Sequence, residues 1–243
     1  MEIDAKPVYR RVLVKLSGEA LQGDHLFGID ASKLSGIVQE IAGVTQLGVE
    51  VALVIGGGNL IRGADLCAAG FERVSADQMG MLATVINGLA LRDAFKAKAI
   101  PAVLMTAFPI PSIAEQYDRT RAQESLQQGK VVILSAGTGN PLVTTDSAAA
   151  LRGIEIGADI VLKATKVDGV FDDDPIKNPK AERYQQLNYD EVIAKRLGVM
   201  DLTAILLCQD HDLPLRVFNM NKQGALKRIM LGEDIGTLVQ ASE

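Results

Sequence analysis

Lys15 lies in the apolar run RVLVKL (11–16), and Lys163 directly follows the run ADIVL (158–162). Each cation stands at the carboxyl end of a segment that reads as a buried strand, where open α/β sheets gather their ligands. Small and polar residues follow both: Ser17-Gly18 after the first, Ala164-Thr165-Lys166 after the second. A third apolar run, VEVALVI (49–55), empties into Gly56-Gly57-Gly58-Asn59, with Arg62 just beyond. Three glycines supply no side-chain chemistry, so they must supply backbone N–H groups or close approach. A fourth run, VVIL (131–134), ends in Ser135-Ala136-Gly137-Thr138-Gly139-Asn140-Pro141, and Thr144-Thr145-Asp146-Ser147 then opens an alanine-rich segment. Lysines, backbone donors and a helix start at the ends of strands are suited to holding an anion and neutralising phosphate charge.

Taken singly, these features have plainer readings. Lys15 fits a solvated edge position, 144–147 fits a helix cap, and Asp77 fits a residue favouring a helix dipole. Asp172-Asp173-Asp174 ahead of Pro175 reads either as a cation site or as a solvated turn. Two phosphate fingerprints are excluded: GxGxxG needs glycine where Ile61 stands, and GxxxxGK[ST] occurs nowhere.

The bulk properties narrow the class. At 243 residues, 48% apolar and 23% charged, the chain has the composition of a globular protein with a substantial core. A formal net charge of −5 argues against general nucleic-acid or acidic-membrane binding. Only His25 and His211 are available as imidazole ligands, so a His-based metal site is not expected. Cys67 and Cys208 form no CxxC pair and read as buried free thiols. The N-terminal MEIDAKPVYRR lacks an apolar leader and no run reaches transmembrane length, so the expected location is the cytoplasm.

The elements that must position the site follow from periodicity and caps. Strands are expected at 11–16, 49–55, 101–105, 131–134, 158–162, 215–218 and 237–240. Asp30 caps a helix over 31–47 that Gly48 stops. Ser75-Ala76-Asp77-Gln78 reads as a capping box opening a long helix to about Lys96, with Asp77 in its first turn. Residues 115–127 read as helical, Asn188 opens a helix to Leu197, and 199–208 forms another with Asp201 in its first turn. Between Met79 and Leu91 the long helix carries no charge, and both of its sides are apolar. That pattern predicts an oligomer, with Val85 among the outward residues. Strands alternating with helices over 1–243 predict one α/β domain with a mostly parallel sheet.

Six blocks in one order identify a resemblance: KLSGEAL (15–21), IGGGNLIRG (55–63), DQMGMLATVING (77–88), SAGTGNPLVTTDSAA (135–149), KATKVDGVFDDDP (163–175) and VFNM (217–220). They make the chain similar to the amino acid kinase family over essentially its whole length, and within it to the branch that phosphorylates UMP. The resemblance implies a three-layer αβα sandwich and reversible transfer of the ATP γ-phosphoryl group to UMP, giving UDP and ADP in pyrimidine nucleotide biosynthesis. Mg²⁺ is implied with ATP, held through the phosphates and not directly by protein ligands.

By the same resemblance Lys15, Lys163 and Asp146 are catalytic. ATP contacts are implied for Lys15, Leu16, Ser17, Gly18, Gly58, Arg62, Thr165, Lys166, Phe171 and Asp174. UMP contacts are implied for Gly57, Asp77 and the loop Thr138, Gly139, Asn140, Pro141, Leu142, Val143, Thr144 and Thr145. Phe171 stands where the family often has tyrosine, which keeps an adenine-packing face and loses the hydroxyl. Relatives of this kind are hexamers activated by GTP and inhibited by UTP. Gly23, Asp24, His25, Leu26, Phe27 and Gly28, with Arg92, Lys96 and Lys130, match that regulatory region, whereas Val103 replaces a basic residue of some relatives. Two other readings compete: a carboxylate or carbamate kinase of the same fold, and a non-catalytic nucleotide-binding regulator. Asp77 and the loop GTGNPLVTT argue against the first, and retention of both lysines with Asp146 argues against the second.

Overall fold

The structure is a computed structural model, and it describes residues 6–242. Residues 1–5, where the stretch read as lacking a leader begins, lie outside the described residues. In chain order the elements are β1 (Arg11–Leu16), a single 3-10 turn (Gly18–Leu21), α1 (Ala31–Thr45), β2 (Glu50–Ile55), α2 (Gly63–Ala68) and α3 (Arg73–Ala97). Then come β3 (Ala102–Thr106), β4 (Glu115–Gln116), α4 (Arg119–Gln127), β5 (Val131–Ser135), α5 (Thr145–Ile156) and β6 (Ile160–Thr165). The chain closes with β7 (Gln186–Asn188), α6 (Tyr189–Ala194), α7 (Leu202–Asp210), β8 (Leu215–Asn219), α8 (Ala225–Met230) and β9 (Thr237–Gln240).

The nine strands form one sheet in the order β4-β3-β5-β2-β1-β6-β8-β9-β7, parallel except where β9 runs against β8. The central strands are apolar on both faces because both faces are covered. Val12, Val14 and Leu16 of β1 join a core with Ile41 of α1, Leu91 and Phe95 of α3 and Leu226 of α8. Leu13, facing the other way, joins Leu126 of α4, Ala149 of α5 and Ile205 of α7. The expected three-layer arrangement with a mostly parallel sheet is thus what the chain adopts.

Several boundaries differ from the sequence reading, each for a local reason. Ser75 does not open α3; the helix begins at Arg73 after the extended residue Glu72, which makes no side-chain cap. An ion pair between Arg73 and Asp77 one turn later, at 2.9 Å, supports that earlier start. Asp77 therefore sits in the second turn, inside the helix. Residues 115–116 are not helical: they pair in parallel with Met105 and Thr106, and α4 starts only after Asp118, whose carboxylate accepts from the Arg121 N–H. Asp201 is the N-cap of α7 and not a first-turn residue, accepting from Ala204 N–H. Lys163 lies inside β6, which runs on to Thr165. Cys208 is buried as expected, whereas Cys67 is only half-buried.

The long helix α3 has one outward apolar line, and it is not the expected one. Val85 is only 5% exposed, packed with Met81 and Ala136, while Leu82 and Ile86 are each 51% exposed. The side of α3 facing the domain is partly polar instead: Thr84 and Asn87 are buried there.

Candidate active site

The carboxyl ends of β5, β2, β1 and β6, adjacent in that order, deliver the loops singled out in the sequence to one edge of the sheet. Lys15 of β1 and Lys163 of β6 are Cα partners across the parallel ladder, so their side chains leave the same face side by side. Two ammonium groups this close repel unless an anion lies between them. Asp146, in the first turn of α5, supplies it: Oδ1 lies 2.7 Å from Lys15 Nζ and Oδ2 lies 2.9 Å from Lys163 Nζ. Lys163 also donates to the Val199 carbonyl at 2.5 Å. Burial disfavours the Asp146 carboxylate, but the two lysines outweigh it and hold the group below the usual carboxylate range. Burial lowers Lys163 from the ordinary lysine value, Asp146 opposes the shift, and the neighbouring Lys15 adds to it.

A second carboxylate fixes the start of α5. Thr144 caps the helix by accepting from the N–H groups of Asp146 and Ser147. Asp201 in turn accepts from the Thr144 hydroxyl and from Ser147 Oγ at 2.9 Å. Nothing in the sequence alone placed Asp201 here; its only signal was an aspartate read in the first turn of a helix.

The glycine turn after β2 is built against α3. A Cβ on Gly57 would meet the Gly80 carbonyl at 2.7 Å and Ala83 Cβ at 2.9 Å, so only glycine fits. Among the described residues, the N–H groups of Gly57 and Gly58 donate to no protein acceptor. Arg62 folds back beside the turn, with Nε 3.4 Å from the Gly58 carbonyl and NH2 2.6 Å from Glu19. Gly57 and Gly58 line a cavity of about 150 Å³ together with Asp77, Val143 and Thr145. Ile61, Gly80, Thr84 and Gly137 also line it and were not anticipated.

The loop after β5 covers this cavity. Ala136 (φ 66°) and Leu142 (φ 69°) are non-glycine residues in the left-handed region, flanking Gly137 and Gly139 in the same region. Contacts to α3 hold it there: the Ala136 N–H donates to Thr84 Oγ1 at 2.7 Å and the Leu142 N–H to Asp77 at 2.8 Å. Thr138, Gly139, Asn140, Pro141 and Leu142 lie on the same loop outside the cavity lining. Thr144 is occupied as the cap.

A larger cavity of about 460 Å³ opens on the other side of β1. Ser17, Thr165 and Lys166 line it, as do Gly23 and Asp24 from the expected effector loop. Lys33, Glu40, Asn221 and Gln223 were not anticipated there, although the last two follow the VFNM block at the end of β8. Phe171 and Asp174 do not line it. Phe171 bridges to Arg183, and the aspartate series forms a turn: Asp173 accepts from Asp174 N–H and Asn178 Nδ2, and Asp174 from Ile176 N–H. That arrangement is the turn reading of the three aspartates. Arg92 and Lys96 line a separate surface cavity of about 500 Å³ beside Pro101, to whose lining the loop 23–28 contributes no residue. Lys130 directly precedes Val131, whose N–H bonds Pro101.

The model of the amino acid kinase family matches residues 10–219. The chain belongs to this family. Among curated relatives, the uridylate kinase of Alcanivorax borkumensis is 60% identical, over 99% of this chain and 95% of that protein. The uridylate kinase of Escherichia coli O1:K1 / APEC is 60% identical, over 98% of this chain and 99% of that one. Among solved structures, UMP kinase from Bacillus anthracis superposes with a TM-score of 0.94 at 43% identity, covering 97% of each chain. UMP kinase from Ureaplasma parvum gives 0.90 at 33% identity, covering 95% of this chain and 98% of that one. The lysine pair itself lines neither cavity, but chain neighbours of the cluster do: Ala164, next to Lys163, lines the larger one, and Thr145, next to Asp146, lines the smaller.

Proposed function

We propose that this chain is a UMP kinase, transferring the γ-phosphoryl group of ATP to UMP and giving UDP and ADP. The observation that carries the reading is the Lys15–Asp146–Lys163 ion-pair cluster, whose chain neighbours Ala164 and Thr145 line two separate cavities, the smaller of them also lined by Gly57 and Gly58. The uridylate kinase relatives supply the acceptor. ATP is assigned to the larger cavity and UMP to the smaller, with Asp77 facing the ribose.

The acceptor is a phosphate monoester whose second pKa is about 6, so at neutral pH it is already an anionic nucleophile. No proton has to be removed, unlike a kinase acting on a hydroxyl. The barrier is repulsion between two polyanions and charge on the transferring group. Lys15 and Lys163 oppose that charge, assisted by the Gly57 and Gly58 N–H groups. Asp146 holds the two lysines apart and aimed; with each oxygen ion-paired to an ammonium group it is a poor proton acceptor. Among the described residues no group of three or more His, Cys, Asp or Glu is placed to hold a metal ion. On the family resemblance, Mg²⁺ would be held through the ATP phosphates, where it would supply further charge neutralisation.

Pyrimidine nucleotide biosynthesis in the cytoplasm is the corresponding role. No helix among the described residues is long and apolar enough to cross a membrane. A homohexamer is proposed from the family resemblance, and the exposed Leu82 and Ile86 of α3 support a subunit contact. Activation by GTP and inhibition by UTP are proposed on the same resemblance, with Arg92 and Lys96 at their own cavity as the basic side chains for the activator. A coupled assay offering ATP with UMP, CMP, glutamate or carbamate tests the reading. Turnover with UMP is expected; turnover only with a carboxylate or carbamate, or none at all, rejects it.

A further inference from the structure

Behind the glycine turn lies a closed pair of amides that the phosphate chemistry itself does not use. Asn59 and Asn87 are 2% and 0% exposed. Asn59 Nδ2 donates to Asn87 Oδ1 at 3.0 Å, and Asn87 Nδ2 donates back to Asn59 Oδ1 at 2.7 Å. The remaining N–H of each amide goes to a backbone carbonyl: Asn59 to Gly28 at 2.9 Å and Asn87 to Gly56 at 2.8 Å. Every donor of the pair is therefore used, which fixes the orientation of both amides.

The bond to Gly56 matters because the Gly56–Gly57 peptide is trans and planar, so its C=O and N–H point in opposite directions. Drawing the Gly56 carbonyl onto α3 turns the Gly57 N–H away from α3. Glycine has little preference of its own for that orientation, and without a donor to the carbonyl the peptide is free to rotate. Gly18, after β1, packs closely on the same turn: a Cβ there would meet Asn59 Oδ1 at 2.5 Å and Gly58 N at 2.6 Å. The Gly28 N–H also donates to the Asn59 carbonyl at 3.0 Å, joining the end of the loop 23–28 to the same unit.

We infer that Asn87 is a positioning residue for phosphoryl transfer, which acts by holding the Gly56 carbonyl on α3 and so aiming the Gly57 N–H at the phosphate, with Asn59 locking the Asn87 amide in that orientation. The inference rests on the site reading above. It places on α3 a third tie to the site, beside Asp77 and Thr84, while the opposite side of the same helix carries Leu82 and Ile86.

The test compares wild type, N87A, N59A and N59A/N87A in steady-state assays with Mg-ATP and UMP, alongside melting curves and a crystal structure of N87A. Wild-type turnover checks the site reading by itself. With wild type active, N87A is expected to lose roughly 10- to 100-fold in kcat, the scale of a misdirected transition-state donor, with a smaller change in KM for UMP. The double variant is expected to be no slower than N87A, because Asn59 acts through Asn87. The Gly56 carbonyl is expected to leave α3 in the N87A structure. N87A that melts earlier yet keeps wild-type kcat overturns the inference, as does a slow N87A whose Gly56–Gly57 peptide is unmoved. Should N87A not fold, N87S, which keeps a shorter donor, is read by the same kinetic and structural criteria.

Discussion

Lys15 and Lys163 are register partners in neighbouring parallel strands, and their two ammonium groups share one carboxylate, that of Asp146. A paired register gives the lysines a common face and the same level along the sheet. The shared carboxylate sets the gap between them.

Removing either charge should slow the chemical step more than it weakens acceptor binding. Lys15→Ala and Lys163→Ala are each expected to lower kcat by roughly 10²–10³-fold, as for loss of one transition-state contact. The KM for UMP should change less. A rise in KM with kcat unchanged would mean that the lysines only bind substrate.

The lowered pKa of Lys163 has a sign that can be tested. Its proton is lost at a lower pH in the folded protein than from an ordinary lysine, about 10.4. Activity that needs the ammonium form should therefore fall on the alkaline side before that value. In Lys163→Arg, whose guanidinium stays charged, the residual activity should lack this limb. An alkaline limb of kcat identical in both proteins would assign it to another group.

The cavity assigned to the acceptor, with Asp77, Thr84 and Thr145 among its lining residues, should discriminate by hydrogen bonding. UMP is expected to exceed CMP and dUMP in kcat/KM, by up to about 10⁴-fold where a site group is left unpaired. Competition assays with the three nucleotides measure it, and comparable values for UMP and CMP would refute the acceptor assignment.

Much of this was legible in the sequence because strand ends, glycine turns and lysines inside apolar runs are local signals. Lys15, Asp146, Lys163, Gly57 and Asp77 were all identifiable; the structure joins the first three in one ion-pair cluster and places Gly57 and Asp77 in the lining of one cavity. What the sequence hid was set by distance. Asp201 reaches Ser147 across 54 positions, and Asn87 reaches Asn59 across 28, so no window of sequence shows either contact. Val85 was misassigned to the outer side of α3 because valine, leucine and isoleucine give the same hydrophobic signal on either side. Burial of Thr84 and Asn87, polar residues on the inner side, reversed the inference from apolarity to orientation.

That correction moves the test of assembly to Leu82 and Ile86. Leu82→Glu is expected to split the oligomer in sedimentation, because a charge would enter an apolar contact. An unmodified protein that sediments as a monomer would remove the contact altogether.

Asp201→Ala should destabilise the fold before it affects substrate contacts. Loss of the α7 cap alone is worth about 1 kcal/mol, and the Thr144 and Ser147 hydroxyls lose their acceptor as well. For a chain of this size a lower melting temperature by at least about 2–4 °C is expected. An unchanged melting curve would show that the start of α5 is held by other contacts.

The pH dependence of kcat in wild type and Asp146→Asn tests most directly whether transfer proceeds without a protein base. The Asp146 carboxyl is held below the ordinary carboxylate range, so it stays charged wherever UMP is dianionic. Asp146→Asn should be slower because the lysines lose their spacer. Its rate should still rise with pH through about 6, following ionisation of the UMP phosphate, as in wild type. A wild-type limb that tracks an enzyme carboxylate and disappears in Asp146→Asn would show that a base is required and that Asp146 provides it.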